Sequence, residues 1–141
     1  MTKKQEQLYA LHRYFIWGNK MREHFDEKLR QHPRNKKEKN GLEIETILYM
    51  SYWYGGLYVV IEGWKELSLK DELIDELLRS KNVELLKRYR NATFHYQEEY
   101  WSKKFTDFMD SGRNCVKWIR KLNSEFGRYF LAEIDKVNKN L

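Results

Sequence analysis

Residues 46–61 read TILYMSYWYGGLYVVI, 16 consecutive positions from Thr46 to Ile61 without a charge. The run falls short of the about 18–20 apolar residues that cross hydrocarbon. It also carries Tyr49, Tyr52, Tyr54 and Tyr58, whose hydroxyls would each need a partner in lipid. In water, an uncharged stretch of this length is a helix buried on most of its circumference, with other helices packed round it. Extended to its polar flanks, it predicts a helix from about Leu42 to Leu67. Gly55 and Gly56 cost that helix stability, and close approach of a neighbouring backbone is the expected compensation.

The flanks supply the partners. Upstream, Leu8, Leu11, Phe15, Met21, Phe25 and Leu29 recur with helical spacing and predict a helix from about Lys4 to His32. Pro33 and the polar run Arg34–Gly41 end it and form the one obvious loop. Downstream, Ser68-Leu69-Lys70-Asp71 reads as a capping box with Ser68 as N-cap, opening a short helix to about Arg79. Asn82 is positioned to cap another helix through Val83, Leu85, Leu86 and Tyr89. Phe105, Phe108, Gly112, Cys115, Ile119, Leu122, Phe126, Phe130, Ile134 and Val137 then alternate steps of three and four. That pattern predicts one helix from about Lys103 to Asn138 with Gly112 on the packing seam, a break at Gly112 being the alternative. No internal repeat or low-complexity segment interrupts the chain. The expected fold is all-α, an up-and-down bundle of four main helices plus a short helix, in a single helical domain over residues 1–141.

Composition narrows the function classes. With 41% hydrophobic and 16% aromatic residues the 141-residue chain is an ordered globular protein, and its net charge of +6 favours an anionic partner or simple solubility. One cysteine excludes an intramolecular disulfide framework and a Cys-rich zinc site. The charged start, Met1 to Gln7, shows no secretory signal, so a cytoplasmic protein is expected. His12, His24 and His32 are too far apart along the chain for one metal, and Glu23, His24 and Glu27 read as a polar face. His95 with Glu98 lacks the second acidic pair of a di-iron bundle. Cys115 falls on the apolar seam, and no Gly-rich phosphate loop is present. No metal or cofactor is expected.

The chemistry-bearing stretch is residues 87–96, KRYRNATFHY. The chain from Arg79 to Arg90 is locally basic, with Arg79, Lys81, Lys87, Arg88 and Arg90 against Glu84, which suits a phosphate backbone or a solvated helix face. Arg90 offers a forked, permanently charged donor set to a phosphate. His95 offers an imidazole, the side-chain type that can take a proton from a ribose 2′-hydroxyl or give one to the leaving 5′-oxygen. Asn91 can orient His95 or the substrate, Tyr96 can donate to phosphate, and Lys87 and Arg88 can bind the strand. Five residues on a regular helix turn about 140°, so Arg90 and His95 do not share a face, whereas Asn91 and His95 do. Joint action needs the Arg to reach round, the helix to distort near Thr93, or a second copy of the chain. The structural alternative makes Arg90 a helix C-terminal charge and His95–Tyr96 a polar pair at a bundle end. Glu62 closes the uncharged run. It either pairs with Arg90 or His95 or sits at the wet end of its helix, where Gly63, Lys65 and Glu66 follow. Tyr100 and Trp101 are the best placed aromatics for contact with a substrate.

Arg90-Asn91-x3-His95-Tyr96, between an amphipathic helix and a long final one, resembles the signature of the HEPN superfamily, in which an Arg and a polar residue precede a His. The resemblance implies a small four-helix domain that homodimerises, so that two Arg and two His meet in one composite cleft. It implies a metal-independent endoribonuclease leaving a 2′,3′-cyclic phosphate, with His95 as general acid or base, Arg90 stabilising the phosphate and Asn91 assisting. It further implies a toxin or defence role with an antitoxin protein as partner. Other members of that superfamily lack catalysis and bind nucleotide or RNA, so a non-catalytic RNA-binding or protein-interaction module is the alternative.

Overall fold

The computed structural model describes residues 1–31 and 39–140. Every regular element among them is helical: α1 (Lys3–Gln31), α2 (Lys39–Glu66), α3 (Glu72–Leu77), α4 (Asn82–Phe94), α5 (Lys103–Asp110) and α6 (Arg113–Lys139). The fold is the all-α bundle that the Thr46–Ile61 run demands. Four long helices carry it, and α3 and α5 are short connecting pieces. The predicted loop from Pro33 to Gly41 lies outside the described residues as far as position 38, and the chain is helical from Lys39. Among the described residues no helix is long and apolar enough to cross a membrane.

The centre of the bundle is α2, which buries Trp53, Tyr54, Leu57, Val60, Ile61 and Trp64. Against it α6 sets Ile119, Leu122, Phe126 and Phe130, all with no exposed surface. Each such side chain contributes about 1.5–3 kcal/mol by leaving water. The two central indoles also need acceptors. Trp53 Nε1 donates to Asn123 Oδ1 at 2.9 Å, and Trp64 Nε1 donates to Asp75 Oδ1 at 2.9 Å. Helix α1 runs antiparallel to α2 and meets it where two glycines face. A Cβ on Gly56 would stand 3.3 Å from Gly18 Cα, so this is the close backbone approach expected of the pair at 55 and 56. Gly55 serves a different neighbour, because a Cβ there would lie 2.6 Å from Cε2 of Phe94 on α4.

A polar seam ties α1 to α6. Asp26 accepts from Arg22 Nη1 at 2.8 Å and from Arg120 Nη2 at 2.7 Å, and Asn123 Nδ2 donates to Asn19 Oδ1 at 3.0 Å. Burial pulls the Asp26 carboxyl upward, but the hydrogen bonds and charges of Arg120 and Arg22 outweigh it and hold the group below the usual carboxylate range.

Three boundaries differ from the sequence expectation. Ser68 does not cap α3. It takes a left-handed conformation (φ 53°) that closes α2, letting the Leu69 N–H reach Trp64 O at 3.1 Å. Asp71 is the N-cap instead, its carboxylate accepting from the Leu73 and Ile74 N–H groups at 3.1 Å. A charged acceptor that satisfies two donors suits a helix N-terminus better than a hydroxyl three residues earlier. Asn82 is not a cap either. It is 1% exposed as the first residue of α4, donating from Nδ2 to Asn114 Oδ1 at 2.9 Å and accepting from Cys115 Sγ at 3.2 Å. The Ser80 hydroxyl accepts the Asn82 N–H at 3.1 Å in its place. Last, the single helix expected from Lys103 to Asn138 breaks at Gly112, which separates α5 from α6 with φ 60° and ψ −133°. Few residues other than glycine adopt that conformation. The apolar rhythm reads through the break because Phe108 before it and Cys115 after it are both buried.

Candidate functional site

Helix α4 presents the motif. Its inner stripe, Val83, Leu86, Tyr89 and Ala92, is buried, so Lys87, Arg88, Arg90 and Asn91 fall on the outer faces. Tyr89 anchors the stripe. Its hydroxyl lies 2.8 Å from Ser51 Oγ of α2, and burial pushes its pKa to about 12 against the opposing hydrogen bond from Ser51. The residue that follows Tyr89 is therefore fixed in direction.

Arg90 is held from three sides. Nη1 donates to Glu62 Oε1 at 2.6 Å, and Nε donates to Asn91 Oδ1 at 2.9 Å. The guanidinium carbon lies 4.8 Å from the centre of the Tyr58 ring. Burial, and next the Glu62 charge, raise the pKa of the Tyr58 hydroxyl, while Arg90 opposes them. Glu62 keeps 48% of its side chain exposed and Arg90 22%. Of the readings open for Glu62, the structure combines two: it sits at the wet end of α2 and it pairs with Arg90. Among the described residues Nη2 of Arg90 has no hydrogen-bond partner.

His95 is placed differently. The helix ends at Phe94, and His95 is its C-cap in extended conformation (φ −118°, ψ 132°). Its N–H donates to Asn91 O at 2.9 Å, and its own carbonyl accepts from Gln97 Nε2 at 2.9 Å. The imidazole is exposed, and no hydrogen bond joins it to Arg90. Asn91 is thus the link between the two, its side chain on the arginine and its carbonyl on the histidine backbone. The 140° offset of a regular helix does not apply, because the helix stops one residue before the histidine.

The other expected residues divide. Arg88 is engaged, with Nη1 2.7 Å from Asp107 Oδ2 on α5, so its charge serves to dock α4 on α5 before it serves a ligand. Lys87 is exposed and has no ion pair among the described residues, and Tyr96 is 91% exposed. Sequence reasoning missed Tyr58, although Tyr58 and Glu62 are four residues apart on one helix and so share a face. It also missed Tyr52 and Phe94, which pack edge to face at 5.6 Å and remain 48% and 50% exposed.

Elsewhere the histidines are packing residues. His24 stacks on Tyr49 at 5.0 Å, and His12 lies 5.5 Å from Phe130, with burial lowering its pKa. His32 lies outside the described residues. Among the described residues no three His, Cys, Asp or Glu side chains converge as a metal site. No protein-family model, curated protein or solved structure matches this chain.

Proposed function

We propose that the protein is a metal-independent endoribonuclease of the toxin or defence type, acting in the cytoplasm. The supporting observation is the pinned guanidinium. Glu62, Asn91 and Tyr58 fix Arg90, whose Nη2 has no hydrogen-bond partner among the described residues, and an exposed imidazole follows where the helix ends. In this reading Arg90 binds the scissile phosphate and stabilises the charge that builds on its oxygens. His95 removes the 2′-hydroxyl proton or protonates the leaving 5′-oxygen, and the attack of the 2′-oxygen leaves a 2′,3′-cyclic phosphate. One chain supplies one imidazole, whereas the reaction uses a base and an acid, so two copies share the site. Exposed aromatic side chains favour that pairing: Tyr14 lines a cleft with Glu62, and Tyr52 packs on Phe94 beside the histidine. An antitoxin protein is the partner such a toxin requires.

A second reading has its own observation. The Glu62–Arg90 pair is neutral as a unit and no bond couples Arg90 to His95, which suits a non-catalytic module that binds RNA or protein. The test is ribonuclease activity in EDTA for the wild type, His95→Ala and Arg90→Ala, each checked for folding by circular dichroism. The nuclease reading expects cleavage by the wild type with cyclic-phosphate ends, and loss of at least 100-fold in each folded variant. Absence of cleavage across several RNA types moves the choice to the binding module.

A further inference from the structure

The chain between α4 and α5, residues 95–102, separates two clefts of opposite character. One lies between α2, the end of α4 and the start of α5. Tyr52, Tyr100, Trp101 and Phe105 wall it, and the hydroxyl-bearing residues Ser51 and Thr93 also line it. The other carries Arg88, Lys103 and Lys104, with Tyr96, and with Glu98 and Glu99 also on its lining. The aromatic cleft belongs to the motif, since Thr93 stands between Asn91 and His95.

The rings that line this cleft are braced on one another. Trp101 packs at right angles on Phe105 with centroids 6.1 Å apart, and Phe105 packs at right angles on the buried Tyr89 at 5.3 Å. Tyr100 meets Trp101 edge to face at 5.1 Å. The chain of rings runs from the core outward, and its outermost members keep their surface in water: Tyr100 is 75% exposed, Trp101 42% and Tyr52 48%. Thr93 Oγ1 donates to Tyr89 O at 3.1 Å, so its lone pairs remain available to accept. At about 270 Å³ the space lies just below the about 300–1,000 Å³ of pockets that enclose drug-sized ligands, and it suits one planar ring system.

We propose that this cleft is a stacking subsite for one unpaired nucleobase of a single-stranded RNA, with Tyr52, Tyr100 and Trp101 as walls and the Thr93 hydroxyl as acceptor for a base amino group. The proposal rests on the RNA reading above and names the form of RNA it takes. The charge of the whole chain, +6, selects the occupant. An apolar peptide side chain would satisfy the rings alone, whereas a nucleotide also brings a phosphate, which a basic chain attracts although Glu98 and Glu99 balance Lys103 and Lys104 in the neighbouring cleft. A base inside a duplex cannot enter, so the site selects unpaired strands.

The test measures binding rather than cleavage, which separates it from the nuclease question. Fluorescein-labelled 2′-O-methyl octa-adenylate, inert to 2′-hydroxyl attack, is titrated against the wild type, Tyr100→Ala and Trp101→Leu. A blunt RNA duplex is titrated in parallel at the same salt. The subsite predicts that Tyr100→Ala and Trp101→Leu each weaken single-strand binding about 5- to 140-fold, while duplex binding stays near wild type. Equal affinity of both aromatic variants and the wild type for the single strand overturns the proposal, even where the wild type cleaves RNA. Loss of stacking in a protein that cleaves nothing upholds the subsite and removes the nuclease. Should Trp101→Leu fail to fold, the largely exposed Tyr100 still decides the matter.

Discussion

Asp26 shows at the residue scale how one side chain carries more than its share. Two arginines from different helices converge on a carboxylate that is 19% exposed, and that side chain holds α1 against α6. Its pKa lies below the unfolded carboxylate value of about 4, so its contribution is complete above that value and is lost as pH falls through the folded one. Urea unfolding at pH 7 and pH 3 should therefore show a wild-type stability that drops towards acid. Asp26→Asn should be less stable at pH 7 by about 1–3 kcal/mol and fall less steeply below pH 4. Equal acid limbs for the two proteins would remove Asp26 from this role. The residue scale is also where the sequence was hardest to read. Arg90, Asn91 and His95 stood out by type and spacing, but the partner of Glu62 stayed open because it depends on the crossing of α2 and α4. Tyr58 was hidden because a tyrosine in an apolar run looks like any other core residue.

At the scale of elements, apolar periodicity located α1 and α2 to within a few residues but ran α5 and α6 together, and the helix starts at Ser68 and Asn82 failed where a local polar choice decided them. Ser68 and Asp71 both fit a helix start. Only the left-handed turn at Ser68, which satisfies the end of α2, leaves Asp71 as the cap. Gly112 was placed on the seam, yet its backbone rather than its small size is what the fold uses. A side chain there meets nothing within 4 Å, so sterics with neighbours impose no penalty. The penalty of Gly112→Ala is conformational alone, about 1–3 kcal/mol, and guanidinium denaturation should read it without any change in helix content. A neutral or stabilising substitution would mean that α5 and α6 can merge into the single helix that the apolar rhythm suggests.

The whole molecule adds what no single chain position reveals. If the site is completed by a second copy, a wild-type protomer paired with a His95→Ala protomer holds one imidazole where the reaction uses two. With RNA in excess, adding surplus His95→Ala to a fixed amount of wild type under conditions of subunit exchange should then drive cleavage down. A site confined to one chain keeps the wild-type cleavage whatever the surplus of variant. Exposure of Trp17 at 57% and Tyr52 at 48% belongs to the same question, and neither could be told from core by sequence, where every aromatic on a helix reads alike. The joint between α4 and α6 carries a further consequence. Cys115 is 1% exposed, its Sγ bonded to Asn82 and its pKa raised by burial. A thiol so placed is shielded from alkylating reagents while the two helices stay together. The only sulfhydryl of the chain thus works as a native clock, its rate of modification counting how often the bundle comes apart at that seam.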